Sequence, residues 1–340
     1  MFDHLLGNQA VKDAIRRFIS TGRVPNSLLL AGPDGVGKRQ FALQFAKAIV
    51  CHDPVEHEGC GKCTSCLRVE VFKFPAADNR DEHEKVIFSE HADVGQVIPY
   101  GRNVLAKAIR DLEKEANFRP FEANARVFII DEAHRMNATA ANALLKTLEE
   151  PPATSHIFLV TSRPNALLPT IRSRVQTLRF GPVDESEIEH LLLTTHKYSQ
   201  DDAQLVAFGS NGSVSRAVST NIEEFRELRT LAITILRDAL ISRDLVAVLR
   251  LSEKVTAQRS TPEYEMFLDV LQGLIHQVWT VCIDQASARA GGEIKELAKS
   301  ADPTKLAALL DHIEEVRASL LVNVNKKIVT DDLLVKMATN

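Results

Sequence analysis

Apolar positions near the start of the chain recur at helical spacing, so Val11, Ala14, Ile15, Phe18 and Ile19 predict an amphipathic helix that stops near Thr21-Gly22. Residues 27–31 form a short apolar run of the kind a buried strand needs. Phe41, Ala42, Phe45, Ala46 and Ile49 then give the apolar face of a second helix. The rhythm returns with a helix carrying Val104, Leu105, Ala108, Ile109 and Leu112 and with a strand over residues 126–130. A further helix over about 139–149, with Ala141, Leu144, Leu145 and Leu148 on one face, is stopped by Pro151-Pro152. Residues 157–161 and 175–180 complete the strands, and this alternation predicts an α/β domain around a parallel sheet. Two stretches break the pattern. Residues 51–74, dense in Cys, Gly and charge, read as an inserted module, and 74–90, rich in Asp, Glu, Lys and Ala, as a mobile connection.

Beyond Pro182 only helical spacing remains. Residues 187–195, 201–208 and 214–218 predict a small helical group, and 225–241, 245–255, 264–285 and 305–321 predict longer helices. The expected division is therefore 1–180, 181–221 and 222–340. Composition agrees, because 340 residues with 45% apolar and 25% charged content exceed one ordinary core. A formal net charge of −4 gives no general attraction to nucleic acid, so any DNA contact would need a local basic patch or a partner's surface. With no leader-like N-terminus and no run approaching the ~18 apolar residues of a membrane span, we expect a soluble cytoplasmic protein that enters no membrane.

The chemistry begins with AGPDGVGKRQF at residues 31–41, between a predicted strand and a predicted helix. Gly32, Gly37 and Lys38 fit the phosphate loop G-x-x-x-x-G-K-[ST] until the last position, where Arg39 replaces the hydroxyl. Glycines let successive backbone N–H groups turn around a phosphate, Lys38 can reach the β and γ oxygens, and the helix aims its positive end at the anion. The candidate contacts to ATP or ADP are Gly32, Asp34, Gly35, Val36, Gly37, Lys38 and Arg39. The missing hydroxyl would normally hold Mg²⁺, so the loop is suited to binding a nucleotide and poorly equipped to hydrolyse it.

Asp131-Glu132 ends an apolar strand in the manner of a Walker B element, in which Asp131 would orient the Mg²⁺ hydration shell and Glu132 would polarise water. Acidic residues also commonly end strands and cap the next helix, so the pair is either catalytic or vestigial. Residues 131–134 spell DEAH, but a helicase needs a second motor domain, and the all-helical remainder supplies none. Thr161-Ser162, closing the next strand, reads either as a pair that senses a γ-phosphate by hydrogen bonding or as a plain strand-end polar pair. Ser173-Arg174 follows Pro169 in a loop from which an arginine cannot easily reach its own phosphate loop. It suits a finger offered to a neighbour's nucleotide, although a lone Ser-Arg is otherwise a solvated surface pair.

Of five cysteines, Cys51, Cys60, Cys63 and Cys66 follow C-x8-C-x2-C-x2-C, a spacing for tetrahedral Zn²⁺ with no open coordination position. His52 and His57 are alternative ligands. Cys282 falls among apolar residues of a predicted helix and reads as core. Zinc knuckles can bind single-stranded nucleic acid, but the aromatic and basic residues around Cys60 to Cys66 are too few for that role.

GPDGVGK, the cysteine spacing, AANALLKTLEEPP at 140–152 and IRSRVQTLRF at 171–180 together resemble bacterial sliding-clamp loader subunits of the AAA+ class over nearly the whole length. The resemblance implies an ATPase-type first domain, a helical lid and a helical collar that holds five subunits in a ring. It further implies γ/τ ATPase subunits and a δ subunit as partners, indirect contact with the sliding clamp and primer–template DNA, and a place in a DNA polymerase holoenzyme. Motor subunits of the γ and τ type carry GK[ST] and the lid motif G-S-x-R. Here Arg39 replaces the hydroxyl, and Ser215 follows Gly212-Ser213-Val214 with Arg216 one place late. One residue on a helix is about 100° of rotation. These departures imply a stator with little or no ATPase activity of its own, which acts through Arg174 in trans. The intact Asp131-Glu132 keeps a motor subunit as the alternative.

Overall fold

The computed structural model describes residues 2–256, 261–283, 292–320 and 324–339, and the chain divides into two compact units. The first comprises Met1–Ile188 with Gly212–Arg216, and the second Glu189–Asn211 with Ala217–Asn340. The 181–221 segment thus contributes to both units.

The first unit holds six strands: β1 (Ser27–Ala31), β2 (Ile87–Phe88), β3 (Val94–Val97), β4 (Arg126–Ile130), β5 (Ser155–Thr161) and β6 (Gln176–Arg179). Their order is β2-β3-β4-β5-β1-β6, with every neighbouring pair parallel except the antiparallel edge pair β2–β3. Every residue of β1, β4 and β5 is buried, which requires both sheet faces to be covered. Because side chains alternate along a strand, Leu29, Ala31, Phe128, Ile130, Ile157 and Leu159 join the core formed with helices Ala106–Ala116 and Ala138–Glu149. The opposite face meets helix Lys38–Val50, where Phe45 stacks on Phe158 and Phe41 packs edge-on against Phe180. Asn137 starts helix Ala138–Glu149 by accepting the Ala140 N–H at 2.9 Å.

Two strands differ from the sequence expectation. The 74–90 stretch is a structured connection, containing a helical turn at Arg80–His83 and strand β2, and Phe72 forms a bridge with Ser89. Strand β3 was also unanticipated, since Val-Gly-Gln-Val carries neither a continuous apolar run nor alternation. Both inner residues have packing reasons. A Cβ on Gly95 would lie 2.5 Å from Val86 Cγ1, and the buried Gln96 accepts hydrogen bonds from Arg39. Strand β3 is fastened by Asp93 just before it and by Arg126 in β4. Asp93 accepts the N–H groups of Phe121, Glu122 and Ala123 at 2.8–2.9 Å and lies 3.5 Å from Arg126 Nε. Arg126 is wholly buried, donates to the Glu115 carbonyl, and lies against the rings of Phe88, Phe121 and Phe128.

The second unit is helical among the described residues. Its helices include Gln200–Gly209, Ile222–Arg237, Leu245–Thr256, Thr261–Ile283, Pro303–Leu320 and, not anticipated from the sequence, Gly292–Ser300 and Lys326–Thr339. The helix expected over 225–241 becomes a π turn at Asp238–Ser242. The ends expected at Gln285 and Leu321 lie outside the described residues. Glu263–Ile283, with mean hydropathy 1.4, is long and apolar enough to cross a membrane, which corrects the expectation that no run approaches that length. Half of it is buried within the protein, where Tyr264, Phe267, Leu268, Leu271, Ile275 and Val278 are core residues. Cys282, at its end, is half-buried rather than core.

Arg126→Ala removes the cation beside the buried Asp93 and should cost about 3–5 kcal/mol, the usual loss when one partner of a buried pair is deleted. Urea unfolding reads this directly. An unchanged midpoint would show that the three backbone N–H groups satisfy Asp93 by themselves.

Candidate functional site

Parallel strands deliver their carboxyl ends to one edge of the sheet, where ligands of such sheets bind. The phosphate loop leaves β1, Asp131 follows β4, and Thr161 ends β5, which lies between them. Gly32 N–H donates to the Thr161 carbonyl at 3.3 Å, which ties the phosphate loop to the end of β5, and Asp131 N–H donates to the Val97 carbonyl at 2.9 Å, which ties the acidic pair to the end of β3.

Gly32, Asp34, Gly35, Val36 and Gly37 form the turn into helix Lys38–Val50. Gly37 is its N-cap at φ 90°, with no atom within 4 Å of where a Cβ would stand, which leaves the cradle open on that side. Lys38 is buried and donates its ammonium to the Pro33 carbonyl. Burial lowers its pKa, opposed by the charges of Asp34 and Asp131. The 212–216 segment docks on this loop, Ser215 N–H donating to the Gly35 carbonyl at 3.0 Å. A Cβ at Gly35 would stand 2.0 Å from Ser213 Oγ, so glycine is needed for that approach. Backbone open at Gly37, a buried lysine and a helix N-terminus suit the phosphates of a nucleotide.

The acidic pair is arranged differently from a metal-organising site. Asp131 Oδ2 lies 3.6 Å from Arg39 Nε, and Arg39 donates from Nε and Nη2 to Gln96 Oε1 at 3.1 and 2.9 Å. Phe74 covers the guanidinium, its ring centre 5.3 Å from Cζ. Burial pushes the Asp131 carboxyl above its usual range, and the Arg39 charge is the main opposing influence. Glu132 has φ 46°, a left-handed conformation, and pairs with Arg135 Nε at 2.6 Å. Burial raises its pKa too, against the pull of Arg135. With no hydroxyl at position 39 and Asp131 already facing a cation, these residues do not fit a Mg²⁺ held in the usual phosphate-loop manner. Thr161 Oγ1 accepts the Arg163 N–H at 3.0 Å and lies 3.1 Å from His134 Nδ1, so this hydroxyl is committed within the protein.

Arg174 lies apart from this cluster in its contacts. It is exposed beyond the short helix Pro169–Arg172, with Nη2 2.6 Å from Glu149 Oε1 and Nη1 3.0 Å from the Thr170 carbonyl. Gln96, Phe74 and Glu149, which hold the two arginines, were not singled out from the sequence. Glu149 lay within the distinctive LEEPP stretch, whereas Gln96 and Phe74 gave no signal that is visible without the fold.

The four cysteines come together as their spacing predicts. The Sγ atoms of Cys51, Cys60, Cys63 and Cys66 all lie within 4.8 Å of one another, and Cys51 and Cys63 are 3.9 Å apart. Four sulfurs at about 2.3 Å from a tetrahedral ion stand about 3.8 Å from each other, so the cluster can hold one metal ion. Backbone N–H groups of Cys60, Cys63 and Cys66 already point at sulfurs of Cys51, Cys60 and Cys63 at 3.2–3.4 Å. Burial opposes ionisation of Cys63, but backbone N–H groups of Cys66 and His52 and the neighbouring thiols outweigh it and bring its pKa down to about 6. Burial and the facing Cys51 and Cys63 push Cys66 up. His52 and His57 are exposed and outside the cluster.

A family profile described as DNA polymerase III, delta subunit, matches residues 7–184. The chain is 26% identical to the Escherichia coli K12 DNA polymerase III subunit tau over 90% of its own length and 48% of that protein. It is 32% identical to the Bacillus subtilis delta′ subunit over 62% of its own length and 58% of that protein. With the Escherichia coli K12 delta′ subunit the identity is 26%, over 93% of this chain and 90% of the other. The chain therefore spans only about half the length of the tau and Bacillus subtilis delta′ relatives. Together with the parallel sheet, its phosphate loop and the four-cysteine cluster, the match over residues 7–184 means that the chain belongs to the DNA polymerase III delta subunit family of clamp-loader proteins.

Proposed function

We propose that this chain is a δ′-type stator of the DNA polymerase III clamp loader, a cytoplasmic ring member that hydrolyses little or no ATP and offers Arg174 to the nucleotide of an adjacent γ/τ subunit. The observation that carries the reading is the Arg39–Asp131 pair, in which the residue replacing the metal-binding hydroxyl faces the acid that would organise the metal. The exposure of Arg174, with its planar fork on a loop beyond a short helix, supports the trans role. In this reading residues 1–180 are the nucleotide-binding-type domain, 181–221 the lid and 222–340 the collar. The partners are the γ/τ and δ subunits of a hetero-pentamer that places the sliding clamp on primed DNA.

A γ/τ-type motor is the second reading, favoured by the intact Asp131-Glu132 and by the match to the tau subunit over 90% of the chain. ATP turnover by the isolated chain separates the two: rates typical of an AAA+ motor would overturn the stator reading. Arg39→Thr by itself should restore little turnover, because Ser215 still occupies the lid position of the arginine.

The cysteine cluster is proposed to hold one structural Zn²⁺. Elemental analysis should give one zinc per chain, and Cys63→Ser should lose most of it and lower the melting temperature. Full metal content in that variant would defeat the assignment.

The trans role is tested in the complex reconstituted with motor subunits. Arg174→Ala should assemble normally and depress clamp- and DNA-stimulated ATPase, where fingers of this kind are worth ~10³–10⁵ at a single site and less in a ring of several. Lysine should rescue poorly, because it lacks the fork that meets two oxygens. Loss of assembly with unchanged specific ATPase would instead assign Ser173-Arg174 a bracing role.

A further inference from the structure

The misfit of the phosphate loop to magnesium has a constructive side. We infer that Arg39 takes the place of the divalent cation, so that this loop binds the phosphates of a nucleoside di- or triphosphate without a metal ion. The inference rests on reading residues 32–39 as a phosphate site, and it adds that the site's cation is built into the chain.

Arg39 is the second residue of helix Lys38–Val50, next to the buried Lys38, so both side chains leave the first turn of a helix whose N-terminus favours anions. Its guanidinium is held on three sides: by Gln96 Oε1 at 2.9 and 3.1 Å, by Asp131 Oδ2 at 3.6 Å and by the Phe74 ring. Gln96 is wholly buried, so this acceptor sits in a fixed position on β3. The contacts use Nε and Nη2, which leaves Nη1 to face a phosphate oxygen, and the side chain keeps 38% exposure. In an ordinary phosphate loop a hydroxyl and an aspartate hold the magnesium between them. Here the aspartate holds an arginine. A divalent ion would have to displace that arginine to reach Asp131, and it would find no hydroxyl opposite. The positive charge that magnesium brings to the phosphates is supplied instead by Lys38 and Arg39 together.

Binding of a fluorescent ADP analogue to the full chain, with unlabelled ADP and ATP as competitors, tests this in excess MgCl₂ and in EDTA. The dissociation constants should agree within about threefold in the two conditions. Arg39→Thr, which restores the usual hydroxyl, should become metal-dependent, losing about tenfold or more in EDTA. Wild-type affinity that falls about tenfold or more in EDTA would overturn the inference, and that comparison needs no variant. So would an Arg39→Thr protein that folds, by its melting curve, and stays metal-independent. Absence of nucleotide binding in every condition would also overturn it. That result would leave the stator reading standing, because the ATPase of the assembled complex, not nucleotide binding by this chain, reports on Arg174.

Discussion

The architecture of the first unit depends on one constraint: β1, β4 and β5 are buried along their whole length, so helices must cover both faces of the sheet. Parallel strands under that constraint release all their connections at the same edge. The phosphate loop, Asp131 and Thr161 are therefore gathered there from distant parts of the sequence. Arg39, on the first turn after β1, reaches Asp131 at the end of β4 and Gln96 in β3, across the end of the intervening β5. The site is a consequence of strand order. No local sequence feature would have paired Arg39 with Gln96.

That distinction also explains what could be read from the chain alone. Strands β1, β4 and β5 were legible because burial on both faces writes a continuous apolar run. Strand β3 was hidden by Gly95, required by the close approach of Val86, and by Gln96, a polar residue buried because it receives Arg39. The cysteine cluster was legible in full, since its geometry is set by spacing within sixteen consecutive positions of the chain. Helix Lys326–Thr339 was missed because its buried Thr330, Leu333, Leu334 and Met337 are diluted among charged neighbours, and Thr330 is buried through its contact with the Tyr264 hydroxyl. The phosphate loop was legible as a motif, but the use of its last position was not, because that depends on which side chains the fold brings to Arg39.

The inserted module is part of this environment. It is fastened to helix Lys38–Val50: Ser65 donates to the Val50 carbonyl at 2.8 Å, Lys47 pairs with Glu70 at 2.7 Å, and Gln44 donates to Glu70 at 2.6 Å. At its far end Phe74 lies over Arg39. A metal ion among the four sulfurs would fix the start of this segment and the helix would fix its middle, leaving Phe74 on a short tether beside the guanidinium. The module is thereby tied to the residue that distinguishes this phosphate loop.

The persistence of Asp131-Glu132 is the feature that most favours a motor, and its surroundings weaken that argument. A buried carboxylate needs a cation or strong donors, since burial raises its pKa and penalises the charged form. In a metal-organising site the ion helps to meet this need. Here Arg39 stands beside Asp131 and Arg135 pairs with Glu132, so each acid has a partner from the chain itself. The acids also brace the turn: Asp131 Oδ1 accepts the Glu132 N–H at 3.0 Å, and the Glu132 backbone is left-handed. Replacing Asp131 with an apolar residue would leave that turn without its acceptor and Arg39 without its counter-charge. Both acids thus have a structural reason to be present whether or not water is ever activated, and an intact acidic pair is by itself no evidence of turnover.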